Sequence, residues 1–101
     1  MSAYVVMLRE RVTDPAEFDV YTAAARPARA GHPLTPVIGY GEITTIEGEP
    51  LDGIVVNEFP TVADALAWYN SPAYQAALPH RQAAADYRVL IVEGVDAPAN
   101  R

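Results

Sequence analysis

Ala3-Tyr4-Val5-Val6-Met7-Leu8 near the start and Val89-Leu90-Ile91-Val92 near the end are unbroken apolar runs rich in β-branched residues. Such runs read as strands. Alternate residues of a strand point to opposite faces, so runs that are apolar at odd and even positions alike need cover on both faces. Helices from the same chain cover one face of a small sheet. A second copy, placed sheet against sheet, is the simplest cover for the other, because a domain of this length has no further layer to offer.

The residues between these strands supply the rest of the architecture. Asp14-Pro15-Ala16-Glu17 places an N-cap, a proline at the first helical position and a glutamate in the first turn, which predicts a helix from Pro15 to about Ala28. Pro27 ends or kinks its last turn. Phe18, Tyr21, Ala25 and Ala28 form its apolar stripe. Gly31 to Pro36 reads as a loop, and Val37 to Glu47 as a second strand with a bulge or close approach at Gly39 and Gly41. After a turn from Glu47 to Gly53, Ile54 to Phe59 reads as the third strand, hairpinned to the second. Thr61 caps a short helix. Ser71 caps another that runs to about Asp86 with Pro79 inside it, and Tyr87 to Val92 is the last strand. The order β-α-β-β-α-α-β predicts an α+β, ferredoxin-like domain over residues 1–94, with a four-stranded antiparallel sheet in a dimeric α/β barrel. Residues 95–101 read as a flexible polar tail.

Composition narrows the function. The chain has 101 residues and a formal charge of −6, so it repels nucleic acid and anionic membranes. All seven basic residues are arginine, which removes lysine Schiff-base chemistry. There is no cysteine, hence no thiol nucleophile, thiolate metal site or disulfide. No export signal is visible at the N-terminus, and no apolar run approaches the roughly 20 residues of a membrane helix. A cytoplasmic location is the expectation.

Three stretches carry a resemblance. Val55-Val56-Asn57-Glu58-Phe59-Pro60-Thr61, then Ala67-Trp68-Tyr69-Asn70-Ser71-Pro72-Ala73-Tyr74-Gln75, flanked by Ile46-Glu47-Gly48 and Val92-Glu93-Gly94 and with Arg81 between, closely resemble the DUF1330 family. The resemblance spans nearly the whole chain and implies a dimeric α/β barrel of ferredoxin-like units, without a defined biochemical role. Where the family pattern is similar to two glycine pairs separated by a basic residue, two apolar residues and an arginine, this chain has Pro33-Leu34-Thr35 and Gly39-Tyr40-Gly41. Two basic side chains are therefore missing around Thr35 and Gly39.

The candidate site residues follow. Glu58 lies on the strand face opposite Val55, Asn57 and Phe59. In an apolar dimer cavity its pKa would rise and it could serve as a general acid or base; an ion pair with Arg81 or Arg9 is the structural alternative. Arg81 shares the buried stripe of the last helix and can clamp a substrate carboxylate or simply pair beneath the sheet. His80, adjacent on the same helix, faces about 100° away and is a candidate proton shuttle or an ordinary surface histidine. His32 can line a pocket mouth or stand exposed in its loop. Asn57, Tyr40, Tyr69 and Tyr74 are candidate ligand contacts, and with Tyr21 and Trp68 these tyrosines can wall a pocket for a planar substrate or pack as core. The two histidines lack metal-ligand spacing, so neither metal nor cofactor is expected.

Two function classes remain open at this stage. One is a small cofactor-independent enzyme moving a proton on a carbonyl or aromatic metabolite, with Glu58 as base and Arg81 or a tyrosine as anchor. The other is a non-catalytic module that binds a small molecule or partner. Haem binding through His32 or His80 and cofactor-free monooxygenation are lesser alternatives.

Overall fold

The computed structural model describes residues 2–95. In chain order it contains β1 (Ala3–Val12), α1 (Pro15–Ala25), a 3₁₀ turn (Pro27–Arg29), β2 (Thr35–Gly39), β3 (Gly53–Phe59), α2 (Val62–Tyr69), α3 (Pro72–Ala84) and β4 (Ala85–Glu93). The sheet order is β2-β3-β1-β4, and every pairing is antiparallel. This is the ferredoxin-like α+β arrangement, with its two most apolar pairs of strands meeting at central β1.

Helix starts follow their caps. The Asp14 carboxylate accepts from the Glu17 amide at 3.2 Å, the Thr61 hydroxyl from the Asp64 amide at 3.0 Å, and the Ser71 hydroxyl from the Tyr74 amide at 3.3 Å. Each satisfies an amide that the helix itself cannot. α1 ends at Ala25 instead of Ala28 because Pro27 has no amide to offer, and the chain tightens into the 3₁₀ turn. α3 continues through Pro79 and stops at Ala84, two residues short of the expected end, where Ala85 goes extended to begin β4.

The second strand departs most from expectation. It covers Thr35–Gly39, not Val37–Glu47. Tyr40 adopts φ +56°, a left-handed conformation that turns the chain away, and the segment from Gly41 to Asp52 forms no regular strand. The bulge falls between Pro36 and Ile38, where the proline sits on an edge strand that tolerates its missing amide.

Register decides the two faces of the sheet. Val5 pairs with Asn57 and Ile91, and Met7 with Val55 and Val89, so these residues share one face. The helices cover it: Val5, Met7 and Phe59 join Tyr21, Trp68 and Tyr74 in the core. Tyr4, Val6, Leu8, Ile54, Val56 and Glu58 fall on the opposite face, together with Leu90 and Val92, which remain 46% and 49% exposed. No helix of the described residues is long and apolar enough to cross a membrane. Of the expected tail, Val95 is exposed and residues 96–101 lie outside the described residues.

Candidate functional site

A cavity of about 210 Å³ lies between the covered sheet face and the helices. Met7, Val55 and Asn57 line it from the sheet, and Tyr21, Trp68 and Tyr74 from α1, α2 and α3. Exposed Arg26 and Arg29, which flank Pro27, stand at its rim with Ile38 and Tyr40 at the end of β2. Its volume is below the roughly 300–1,000 Å³ of drug-sized sites and suits a single-ring molecule.

The cavity's inner chemistry is dominated by a pair of phenols. The hydroxyls of Tyr21 and Tyr74 lie 2.8 Å apart, with their rings at 6.2 Å and nearly perpendicular. One hydroxyl donates to the other. The Arg81 guanidinium behind them, itself only 5% exposed and 6.0 Å from the Tyr21 ring centre, can donate but cannot accept. One phenolic proton of the pair is therefore left without an acceptor among the described residues. Burial raises both tyrosine pKa values; the coupling of Tyr21 to Tyr74 raises Tyr21 further, while Arg81 restrains the rise at Tyr74. Both are neutral donors at physiological pH.

Other polar groups around the cavity share this donor character. The Trp68 indole N–H and the Arg81 Nε are buried without a partner among the described residues, a condition that costs about 1–3 kcal/mol per group. Asn57 is 3% exposed and lines the sheet side. No carboxylate or imidazole lines this cavity.

Tyr40 is held by several contacts. Its amide donates to the Ile54 carbonyl at 2.9 Å, its hydroxyl bonds that of Tyr87, and its ring sits 4.4 Å from the Arg9 guanidinium carbon. That ring lies against Gly53, where an added Cβ would come within 2.7 Å of Tyr40 Cδ1. A glycine is required there by this approach. Arg9 continues to Asp52 at 2.9 Å, so the arginine joins the cavity rim to the loop before β3.

The sequence candidates thus separate. Tyr74, Asn57 and Tyr40 line the cavity, and Arg81 stands behind its phenol pair. Tyr69 packs on Tyr74 and Trp68, outside the lining. His80 pairs with Glu17 on the outer helix surface. Glu58 is on the opposite face of the sheet, where it accepts a long 3.4 Å hydrogen bond from Tyr4 and borders a shallow depression that also contains His32. Glu58 pairs with neither Arg81 nor Arg9, and the sheet stands between it and the Arg81 group. Arg26 and Arg29 are absent from the sequence candidates, although their spacing around Pro27 is the signal that could have found them: residues i and i+3 of a 3₁₀ turn stack on one side.

The buried phenols make the fold sensitive to alkali. Tyr21, Tyr74 and Tyr87 have folded pKa values above the ordinary tyrosine value near 10, chiefly through burial. Their contribution to stability is complete below pH 10, where both folded and unfolded chains are protonated, and is lost as pH rises toward the folded values. Urea midpoints should hold from pH 8 to about 9.5 and fall above pH 10. In Tyr21→Phe this fall should be shallower; equal slopes for both proteins would contradict the assignment.

Comparison with known proteins agrees with the fold. A structure of a protein of unknown function from Rhodopseudomonas palustris aligns with a TM-score of 0.70 and 24% identity, covering 95% of this chain and 84% of that one. A dimeric protein of unknown function with a ferredoxin-like fold from Bacteroides fragilis aligns with a TM-score of 0.59 and 17% identity, covering 92% and 95%. SnoaB, a cofactor-independent oxygenase from Streptomyces nogalater, aligns with a TM-score of 0.57 and 14% identity, covering 96% and 95%. No curated protein matches. The family model for the domain of unknown function DUF1330 matches residues 2–95, and with the cap, strand and helix pattern described above, the chain belongs to the DUF1330 family.

Proposed function

We propose that this protein binds a small planar metabolite bearing a carbonyl or other acceptor oxygen in the cavity between its sheet and helices. The observation that carries this reading is the Tyr21–Tyr74 pair, whose leftover phenolic proton faces no protein acceptor and is kept on by burial. Acceptor oxygens on a ligand would take that proton, and Asn57 would orient the ring beside Trp68. Arg81 polarises the pair from behind without touching the ligand.

A second reading is cofactor-independent catalysis on such a metabolite. Preorganised donors in a dry site stabilise an oxyanion as it develops, so the same phenols would serve an enzyme as well as a binder. SnoaB shows that a cofactor-independent oxygenase occurs on this fold, an analogy of fold alone. Proton abstraction is the weaker version of this reading, because the cavity contains no base and Glu58 is across the sheet. As a base, Glu58 would act on a molecule held between two copies. Haem fits poorly: His32 and His80 do not line the cavity, and a porphyrin exceeds its volume.

We also propose a homodimer closed over the open sheet face, supported by the apolar residues there. Native mass spectrometry of freshly purified protein, followed by the same sample denatured, tests both proposals. The expected result is a mass of about twice 10.9 kDa plus a small molecule that is released on denaturation. In Tyr21→Phe/Tyr74→Phe the added mass should disappear while the assembly persists. Absence of an adduct, together with no change in Trp68 fluorescence on titration with aromatic aldehydes and ketones, would overturn the binding reading.

A further inference from the structure

We infer that the ligand of this cavity is a small organic carboxylate, and that Arg26 and Arg29 are the residues that recognise its charge. The inference rests on the binding reading above and specifies the class of ligand. Its basis is the placement of the arginines. Six of the seven lie among the described residues. Arg9, Arg11 and Arg88 pair with Asp52, Asp86 and Glu10. Arg26, Arg29 and Arg81 have no carboxylate within 4 Å among the described residues.

All three of these unpaired cations gather at one place, two on the cavity rim and one behind its phenols. The chain carries thirteen acidic residues and a net charge of −6. With nearly two acids for every arginine, partners are plentiful, so three cations left without one around a single cavity mark a site that accumulates positive potential.

Local geometry turns two of these charges into one binding element. Arg26 closes α1, and the Arg29 amide donates to its carbonyl at 3.3 Å across the 3₁₀ turn. At this spacing the two side chains lie on the same side of the turn, and both border the cavity. The C-terminal carbonyls of α1 attract a cation at Arg26. That attraction fades within the last turn and does not explain a second, unpaired guanidinium at the same rim. Guanidinium groups recognise carboxylates through paired N–H donors, and a rim position lets a carboxylate keep part of its hydration while the ring enters the cavity. Bound this way, the ligand would span the site: carboxylate at Arg26 and Arg29, ring beside Trp68, and an acceptor oxygen at the Tyr21–Tyr74 pair.

Benzoate and benzamide, which match in shape and differ in charge, provide the test. Trp68 is the only tryptophan and lines the cavity, so its fluorescence reports occupancy. Benzoate is expected to bind about tenfold more tightly than benzamide at low ionic strength, with the difference shrinking as salt is added. Arg26→Gln/Arg29→Gln should abolish the preference while leaving benzamide affinity and the thermal melting curve unchanged, since both side chains are exposed. Equal binding of the two probes to the natural protein would overturn the carboxylate inference and leave the binding reading standing. A benzoate preference that survives the double substitution would overturn the assignment to these arginines. If neither probe alters Trp68 emission at millimolar concentration, the cavity reading itself fails and the inference falls with it.

Discussion

Leu90→Glu is expected to convert an assembly of about twice 10.9 kDa into single chains of 10.9 kDa. Leu90 pairs across the sheet with Val6 on central β1, and Val56 pairs with Val6 from the other side, so the three form an apolar row on the open face. Tyr4, Leu8, Ile54 and Val92 surround that row. Specific stable interfaces bury roughly 800 Å² per partner, and homodimer interfaces are more apolar than ordinary surface. By two-fold symmetry a single substitution would place two carboxylates in the interface, each losing several kcal/mol of hydration without a partner. Within one chain the same side chain is 46% exposed, so its folding cost should be small. Light scattering at micromolar concentration should therefore report halved mass with unchanged far-ultraviolet circular dichroism. A natural protein that already runs as a single chain would refute the dimer.

Tyr74→Ala has the largest expected effect on folding. Tyr74 is fully buried, its ring 4.4 Å from Trp68, 5.3 Å from Tyr69 and 6.2 Å from Tyr21. Truncating an aromatic at such a position costs about 3–5 kcal/mol through lost transfer energy and the void left behind. Domains of this size have about 5–15 kcal/mol in total, so the variant should be marginal at 37 °C. Tyr74→Phe keeps the ring and removes one partner of the Tyr21 hydrogen bond, for a loss nearer 1 kcal/mol. Urea unfolding at one fixed protein concentration distinguishes them, with the alanine midpoint far below the phenylalanine one. Similar midpoints would mean that the hydroxyl, not the packed ring, dominates this residue's contribution.

Arg26 and Arg29 would place the polar end of a ligand where solvent can still reach it, whereas Tyr21 and Tyr74 act in a dry interior. These environments divide the work physically. Charge is recognised where hydration can be partly kept, and a neutral donor acts where an ion could not be afforded a place without heavy desolvation. Asn57, Trp68 and the phenols reach one cavity only because residues distant along the chain meet across the sheet.

Local chemistry was enough to reveal the frame. Asp14, Thr61 and Ser71 are caps because a side-chain oxygen three residues before an amide satisfies it whatever surrounds them. The runs Ala3–Leu8 and Val89–Val92 specify strands needing cover on both faces, since strand periodicity depends on the backbone alone. Length and element order then restrict the topology to the ferredoxin-like arrangement that is observed. β2 is the exception. Val37 to Glu47 has good strand composition, yet the chain turns at Tyr40, whose positive φ is accompanied by the Tyr87 hydroxyl, the Arg9 guanidinium and the bare backbone of Gly53. Those contacts are non-local, and propensity carries no record of them.

Site residues divide along the same line. Alternation along β3 by itself determined that Asn57 and Glu58 lie on opposite faces, but which face the helices cover depends on the register of β1 against β3 and β4. Tertiary structure alone put Asn57 in the cavity and Glu58 on the open side, joined the hydroxyls of Tyr21 and Tyr74, and brought three unpaired arginines to one cavity. The physical reason is range. Caps and strand alternation are set within a few residues, whereas a hydrogen bond spanning 53 residues exists only after two helices pack on one sheet.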